Sequence, residues 1–273
     1  MHTDYRKNCS AESAAAARRS SADLRYYPQV HDSRSKFGFT SPLDYVRDAI
    51  RARGFFGALR FYASGLLELV RDLAPTRRRS RYGDIDYDFD HGVDTTWATI
   101  SLRTRLREWL RGVQYQASEP ELFREILESV PAALSGFTFI DLGSGKGRTL
   151  LMASDFSFRR IVGVEVLAEL NAVAEQNIAR YRSDLQKCFA IESHAGDARE
   201  FEYPAEPIVL YLFNPFPEHV LRQVLAALRR SLLETPRPAY VIYHNLLLEQ
   251  VFDEQQWLRG VHRTHQFAVY EAR

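Results

Sequence analysis

Residues 137–147 read Phe-Thr-Phe-Ile-Asp-Leu-Gly-Ser-Gly-Lys-Gly, an apolar run that passes through Asp141 into glycines at alternate positions, Gly143, Gly145 and Gly147. A strand that turns at once into a helix, with its backbone close to a ligand, needs residues that tolerate positive φ and leave room. Glycine does both. The chain is therefore read as an α/β protein with a binding loop after a buried strand. Two commoner loops do not fit. A phosphate-binding Walker loop has a glycine five positions before its Gly-Lys pair and Ser or Thr directly after it; here those places hold Ile140 and Gly147. The dinucleotide fingerprint spaces its glycines G-x-G-x-x-G, and residue 148 is Arg.

The pattern downstream alternates helix and strand. A helical stretch from about Arg148 to Ser157 leads to Ile161-Val162-Gly163-Val164-Glu165, a strand ending on an acid about 20 residues after the loop, where nucleoside-binding sheets hold ribose hydroxyls. Leu170, Val173, Ala174, Ile178 and Tyr181 then recur at three- and four-residue spacing, predicting a helix from Leu167 to Arg182. Ile208–Phe213 is a continuous apolar run suited to a strand buried on both faces, and it opens into Asn214-Pro215-Phe216-Pro217. A fifth strand, Ala239 to Tyr243, ends at His244-Asn245, and a helix follows around Leu246 to Glu254. Two short strands, about Leu258 to His262 and Gln266 to Glu271, are close enough to form an antiparallel hairpin.

An acid two residues before the first glycine, followed by G-x-G-x-G, resembles motif I of the class I S-adenosylmethionine (SAM)-dependent methyltransferases. Residues 115–273 resemble their domain, with Asp141, the three glycines, Glu165, Asp197 and Asn214 in order at the carboxyl ends of predicted strands. They are also similar to a large bacterial group that carries Phe-Asn-Pro-Phe after the fourth strand. The resemblance implies a Rossmann-like, doubly wound, mostly parallel seven-stranded sheet with an antiparallel C-terminal strand, preceded here by a helical N-terminal extension. It implies SAM as cofactor and no metal.

Residue roles follow from the same resemblance. Asp141, Gly143, Ser144, Gly145 and Gly147 would form the cofactor loop, and Glu165 would hold the ribose. Asp197 and Ala198, in Ala-Gly-Asp-Ala, would meet the adenine amino group, and Tyr115 and Gln116 would lie near the methionine end. Asn214-Pro215-Phe216 is similar to the Asn-Pro-Pro-Tyr/Phe motif of amino-group methyltransferases, whose carbonyls accept hydrogen bonds from the target amine. Here the second proline follows the aromatic residue instead of preceding it. His244 is the nearest base by topology. Methyl transfer to an amine nitrogen of a protein or other acceptor is the expected reaction. The alternatives are O-methylation of a small molecule, methylation of nucleic acid, and SAM binding without transfer.

Composition limits the setting. With 45% apolar residues in 273, the chain can bury a core, and its two cysteines, Cys9 and Cys188, are too few for a disulfide framework or structural zinc site. No apolar run approaches the ~20 residues of a membrane span, and the Ala14–Ala17 tract is too brief for a signal peptide. The expected home is the cytoplasm.

Charge divides the chain. Residues 1–81 hold 16 Lys and Arg against 8 Asp and Glu, and residues 82–273 hold 20 against 27. Residues 1–36, rich in Ser, Ala and Arg, are expected to be a disordered basic tail. Residues 37–114 are expected to be a helical extension that contains a short acidic strand. From Pro42 to Leu73, apolar positions such as Phe55, Phe56, Leu59, Leu66 and Leu67 mingle with Arg47, Arg51, Arg53, Arg60 and Arg71, and glycines interrupt near Gly54 and Gly57. Two basic amphipathic helices are predicted there. Packing on the core with a solvated arginine face is the favoured arrangement; a lid over substrate or at a membrane surface is the other, and the basic extension also permits nucleic acid as a partner.

Residues 82–94 carry Asp at alternate positions, but glycine and Glu are missing from the sixth and twelfth places an EF-hand requires. The alternation predicts a strand with Ile85, Tyr87 and Phe89 on one face. Further on, Ser118, Pro120 and Glu121 predict a capped helix start.

Overall fold

A computed structural model of the chain describes residues 42–72, 85–96, 117–213 and 215–273. The expected tail at 1–36 and the site residues Tyr115, Gln116 and Asn214 lie outside them. In the N-terminal part, α1 (Pro42–Asp72) is broken at Gly54, whose φ of 71° and ψ of 167° are not helical. Only glycine takes such an angle pair readily, which is why the break falls there. The next helix, α2, is Ile85–His91.

From residue 117 onward, helices and strands alternate. They run α3 (Pro120–Glu128), β1 (Thr138–Leu142), α4 (Arg148–Ala153), β2 (Arg160–Glu165), α5 (Ala168–Arg180), β3 (Ile191–Ala195), β4 (Ile208–Phe213), α6 (Glu218–Glu234), β5 (Ala239–His244), α7 (Glu249–Asp253), β6 (Leu258–Arg263) and β7 (Phe267–Ala272). The described strands form one seven-stranded sheet in the order β3-β2-β1-β4-β5-β7-β6. β1 pairs in parallel with β2 and β4, and β5 in parallel with β4. β7 runs antiparallel to both β5 and β6, as the predicted hairpin requires.

Apolar side chains fill both faces of the sheet. On β4, Val209 and Tyr211 join Phe123, Phe139, Leu150 and Ile242 on one side. Leu210 and Leu212 join Ile140, Leu225, Val241 and Phe252 on the other. That two-sided burial explains why β4 reads as an unbroken apolar run rather than an alternating one.

Two local expectations are corrected. Residues Ile85–His91 form a helix, not an acidic strand. Phe89, which a strand face would have buried, is 83% exposed, and Asp86 and Asp88 lie in the first helical turn with His91 in the last, the arrangement a helix dipole favours. Tyr87 and His91, one turn apart, stack at 4.4 Å. Ser118 does not cap α3: the N-cap is Glu119, with no side-chain cap bond. The Ser118 hydroxyl instead meets the Tyr211 hydroxyl at 3.1 Å.

Candidate functional site

β1, β2, β4 and β5 end at the same edge of the sheet, and the loop after β1 wraps across that edge. Gly143, Gly145 and Gly147 have φ of 94°, 54° and 82°, a region costly for residues that carry a Cβ. Gly143 is also sterically fixed, since a Cβ there would come within 2.5 Å of the Pro215 Cβ. The segment after β4 thus lies directly on the first glycine of the loop. The N–H groups of Gly143 and Ser144 donate to the Val164 carbonyl at 2.8 and 3.2 Å, which ties the loop to β2.

Glu165 closes the same turn. Its Oε2 accepts from the Gly145 N–H at 2.9 Å and its Oε1 from the Leu167 N–H at 2.8 Å, in a side chain that is almost wholly buried. Asp141, beside it, is also buried and accepts a hydrogen bond from the Thr149 hydroxyl. Burial pushes the Asp141 carboxyl up to about 7; the Thr149 bond opposes that rise and the charge of Glu165 adds to it. Ser144 turns its hydroxyl towards Gly163, with no hydrogen-bond partner among the described residues.

The loop's own cations are both bound by residues 85–96. Lys146, 2% exposed, donates from Nζ to Asp94 Oδ1 and to the Thr96 carbonyl, both at 2.8 Å. Arg148, equally buried, donates from Nε to the Thr95 hydroxyl at 2.6 Å, meets Asp88 at 3.3 Å and lies 4.7 Å from the centre of the Tyr87 ring. Asp88 also accepts from the Thr95 and Thr96 N–H groups at 2.8 and 2.9 Å. Asn177 of α5 completes the clamp, bonding both the Asp94 backbone and the Lys146 carbonyl. Residues 85–96 are therefore strapped to the loop.

A second polar chain lies under the ends of β4 and β5. His244 is buried and stacks on Phe213 at 4.0 Å, and its Nδ1 is 2.7 Å from the Tyr211 hydroxyl. That hydroxyl in turn meets Ser118. Burial lowers the His244 pKa to about 4, so the imidazole is neutral near pH 7. Phe216 is half-buried against Leu212 and its neighbours, and Ala198 is buried. The Asp197 carboxylate accepts from the Arg199 N–H at 2.9 Å and its guanidinium at 2.5 Å.

The strand-end acids were readable from the sequence, whereas the strap and the Tyr211–Ser118 chain were not. Lys146 and Arg148 flank the glycines, but their carboxylates come from 52 and 60 residues earlier, and no local pattern joins them.

Asp141 and His244 respond to acid in opposite directions. Asp141 has its pKa raised from 3.8 to about 7, so its contribution to stability is present at low pH and is lost as pH rises through about 7. His244 is depressed from 6.5 to about 4, so its contribution is present above 6.5 and is lost as pH falls through about 4. Asp141→Asn removes the first effect and leaves the second. This variant is expected to lose stability more steeply than the parent between about pH 7 and about pH 5 in urea unfolding, and equal slopes would refute the opposition.

No family model matches the chain, and no curated protein does. Among solved structures, an RNA methyltransferase from Salinibacter ruber in complex with S-adenosyl-L-homocysteine is similar at 22% identity, over 57% of this chain and 92% of its own, with a TM-score of 0.39. A predicted N6-adenine-specific DNA methylase from Listeria monocytogenes is similar at 15% identity, over 60% and 53%, with a TM-score of 0.43. TrmN from Thermus thermophilus is similar at 15% identity, over 56% and 49%, with a TM-score of 0.41. The chain spans about half the length of the last two. The fold assignment rests on the sheet itself: with the order β3-β2-β1-β4-β5-β7-β6 and β7 alone reversed, the chain has the Rossmann-like methyltransferase fold.

Proposed function

We propose that the chain is a SAM-dependent methyltransferase that acts on an amine nitrogen of a protein or other acceptor. The observation that carries this reading is the charge at the strand ends. Asp141 and Glu165 lie together at the strand ends, while the charge of Lys146 is matched by Asp94 and the Thr96 carbonyl. Such an edge repels a pyrophosphate and attracts a sulfonium, an ammonium and ribose hydroxyls.

The residues fit that ligand. Glu165 accepts the N–H groups of Gly145 and Leu167, one on each oxygen, which fixes its carboxylate at the end of β2, the place of a ribose ligand. Asp141 and the backbone of Gly143, Ser144, Gly145 and Gly147 line the turn, Tyr115 and Gln116 serve the methionine end, and Asp197 with Ala198 serves the adenine. For that contact Asp197 shares its carboxylate with Arg199. Once bound, SAM supplies a methyl group already activated on sulfur, which leaves the chain the task of holding and aligning a nucleophile.

Asn214, Pro215 and Phe216 would do this, and the contact between Pro215 and Gly143 supports their closeness to the cofactor loop. An acceptor amine such as lysine, with a pKa near 10.4, must lose a proton before it attacks. His244, neutral near pH 7 and held at Nδ1 by the Tyr211 hydroxyl, is the candidate base nearest by topology. The cytoplasm remains the proposed setting, consistent with a buried Cys188 whose thiol pKa is raised by burial.

Titration calorimetry with SAM, S-adenosylhomocysteine, NAD and ATP tests the cofactor. Micromolar binding of the first pair alone is expected, and binding of NAD or ATP in their place would overturn the reading. In the same assay Asn214→Ala is expected to keep SAM affinity within about twofold. Its transfer of labelled methyl to a cell extract should fall by about 100-fold or more. Loss of both activities would assign Asn214 a structural role.

A further inference from the structure

The part of α1 after its break at Gly54, residues 55–72, is about 27 Å long at 1.5 Å per residue. At 100° per residue, Phe55, Phe56, Leu59, Ala63, Leu66 and Leu67 fall within an arc of about 120°. This arc faces outward. Phe55 is 63% exposed, Phe56 81%, Leu59 57%, Leu66 49% and Leu67 51%. Ala58 on the other side is buried, and Gly57 and Phe61 are half-buried. A helix packed on a core for its own sake would turn large apolar residues such as these inward.

We propose that this face is an interaction surface for an anionic lipid membrane, on which α1 lies with its phenylalanines and leucines in the headgroup–acyl boundary. Three features select that occupant. The exposed face carries bulky apolar groups, which bury well in acyl chains; a nucleic acid would instead need cations and hydrogen-bond donors there. Arg60, exposed, borders the arc, and residues 1–81 carry eight more cationic than acidic side chains, including Arg77, Arg78 and Arg79. That excess is attracted by anionic headgroups and would repel a second copy of the same surface. Among the described residues no helix is long and apolar enough to cross a membrane, so α1 lies on the surface without spanning it.

The test is flotation of the full chain with phosphatidylcholine vesicles, with and without phosphatidylserine. Binding is expected to the anionic vesicles, with little to phosphatidylcholine alone and a decline as salt rises. Phe56→Glu should lower the partition by about tenfold or more, and Arg60→Glu should lower it mainly at low salt. Both positions are exposed, so unchanged melting and SAM affinity verify that the variants are folded. The proposal is overturned if anionic vesicles are not bound, if Phe56→Glu floats as the parent does, or if both vesicle types bind equally. It is also overturned if light scattering finds a dimer that Phe56→Glu dissociates, or if duplex DNA is retained at salt where vesicles are not.

Discussion

Gly143→Ala is expected to cost roughly 2–5 kcal/mol of stability and to reduce methyl transfer by about 100-fold or more. Two costs add at this position. A residue with a Cβ at φ 94° pays about 1–2 kcal/mol for the left-handed region, and the new methyl group falls 2.5 Å from the Pro215 Cβ. Overpacking of this kind costs about 1–3 kcal/mol and is relieved by moving a neighbour. The neighbour is the segment after β4, and displacing it by an ångström would misplace whatever it holds for reaction. Pro215→Gly in the same chain removes the contacting atom, so the double variant should recover the steric part and keep the backbone part. Urea unfolding of the two single variants and the double variant measures this coupling. A Gly143→Ala protein within about 0.5 kcal/mol of the parent would mean that the loop and the Pro215 segment do not touch as described.

Asp88→Ala should be at least as damaging to stability, by about 3–5 kcal/mol, although the residue lies outside the sheet. It removes a carboxylate from beside Arg148, whose side chain is 2% exposed, and withdrawing one partner of a buried ion pair is far costlier than the pair is worth. The Thr95 and Thr96 N–H groups lose their acceptor at the same time. Asp88→Asn can keep those two bonds while losing the charge, so it should fall between the parent and the alanine variant. Chemical denaturation decides the matter, and a change below about 0.5 kcal/mol for Asp88→Ala would show the strap to be ornamental.

The sheet was legible wherever its instructions are local. The apolar run 208–213 became β4 with the same bounds, and the three glycines took the positive φ their spacing predicted. Misreadings arose where a local pattern competed with a distant partner. Asp at alternate positions suggested a strand over residues 84–90, yet Asp88 is committed to Arg148, 60 residues away, on one side of a helix. Ser118 had the right spacing for a cap, but its hydroxyl instead joins the buried pair that Tyr211 makes with His244. Glu165 was read as a ligand for ribose from its place at the strand end, whereas its bonds to the N–H groups of Gly145 and Leu167 join two turns and follow no local pattern.

The strap on the glycine loop also orders events in time. Asp88 leaves the ribosome 60 residues before the arginine it meets, which at about 5–20 residues per second is an interval of roughly 3–12 s. During that interval residues 85–96 have made their helix-forming residues available but have nothing to clasp. The loop, once synthesised, finds its counter-charges already waiting in the nascent chain, so Lys146 and Arg148 can be paired as soon as they appear. Synthesis from the other end would expose a cationic loop first, one apt to capture phosphates before its own acids arrived.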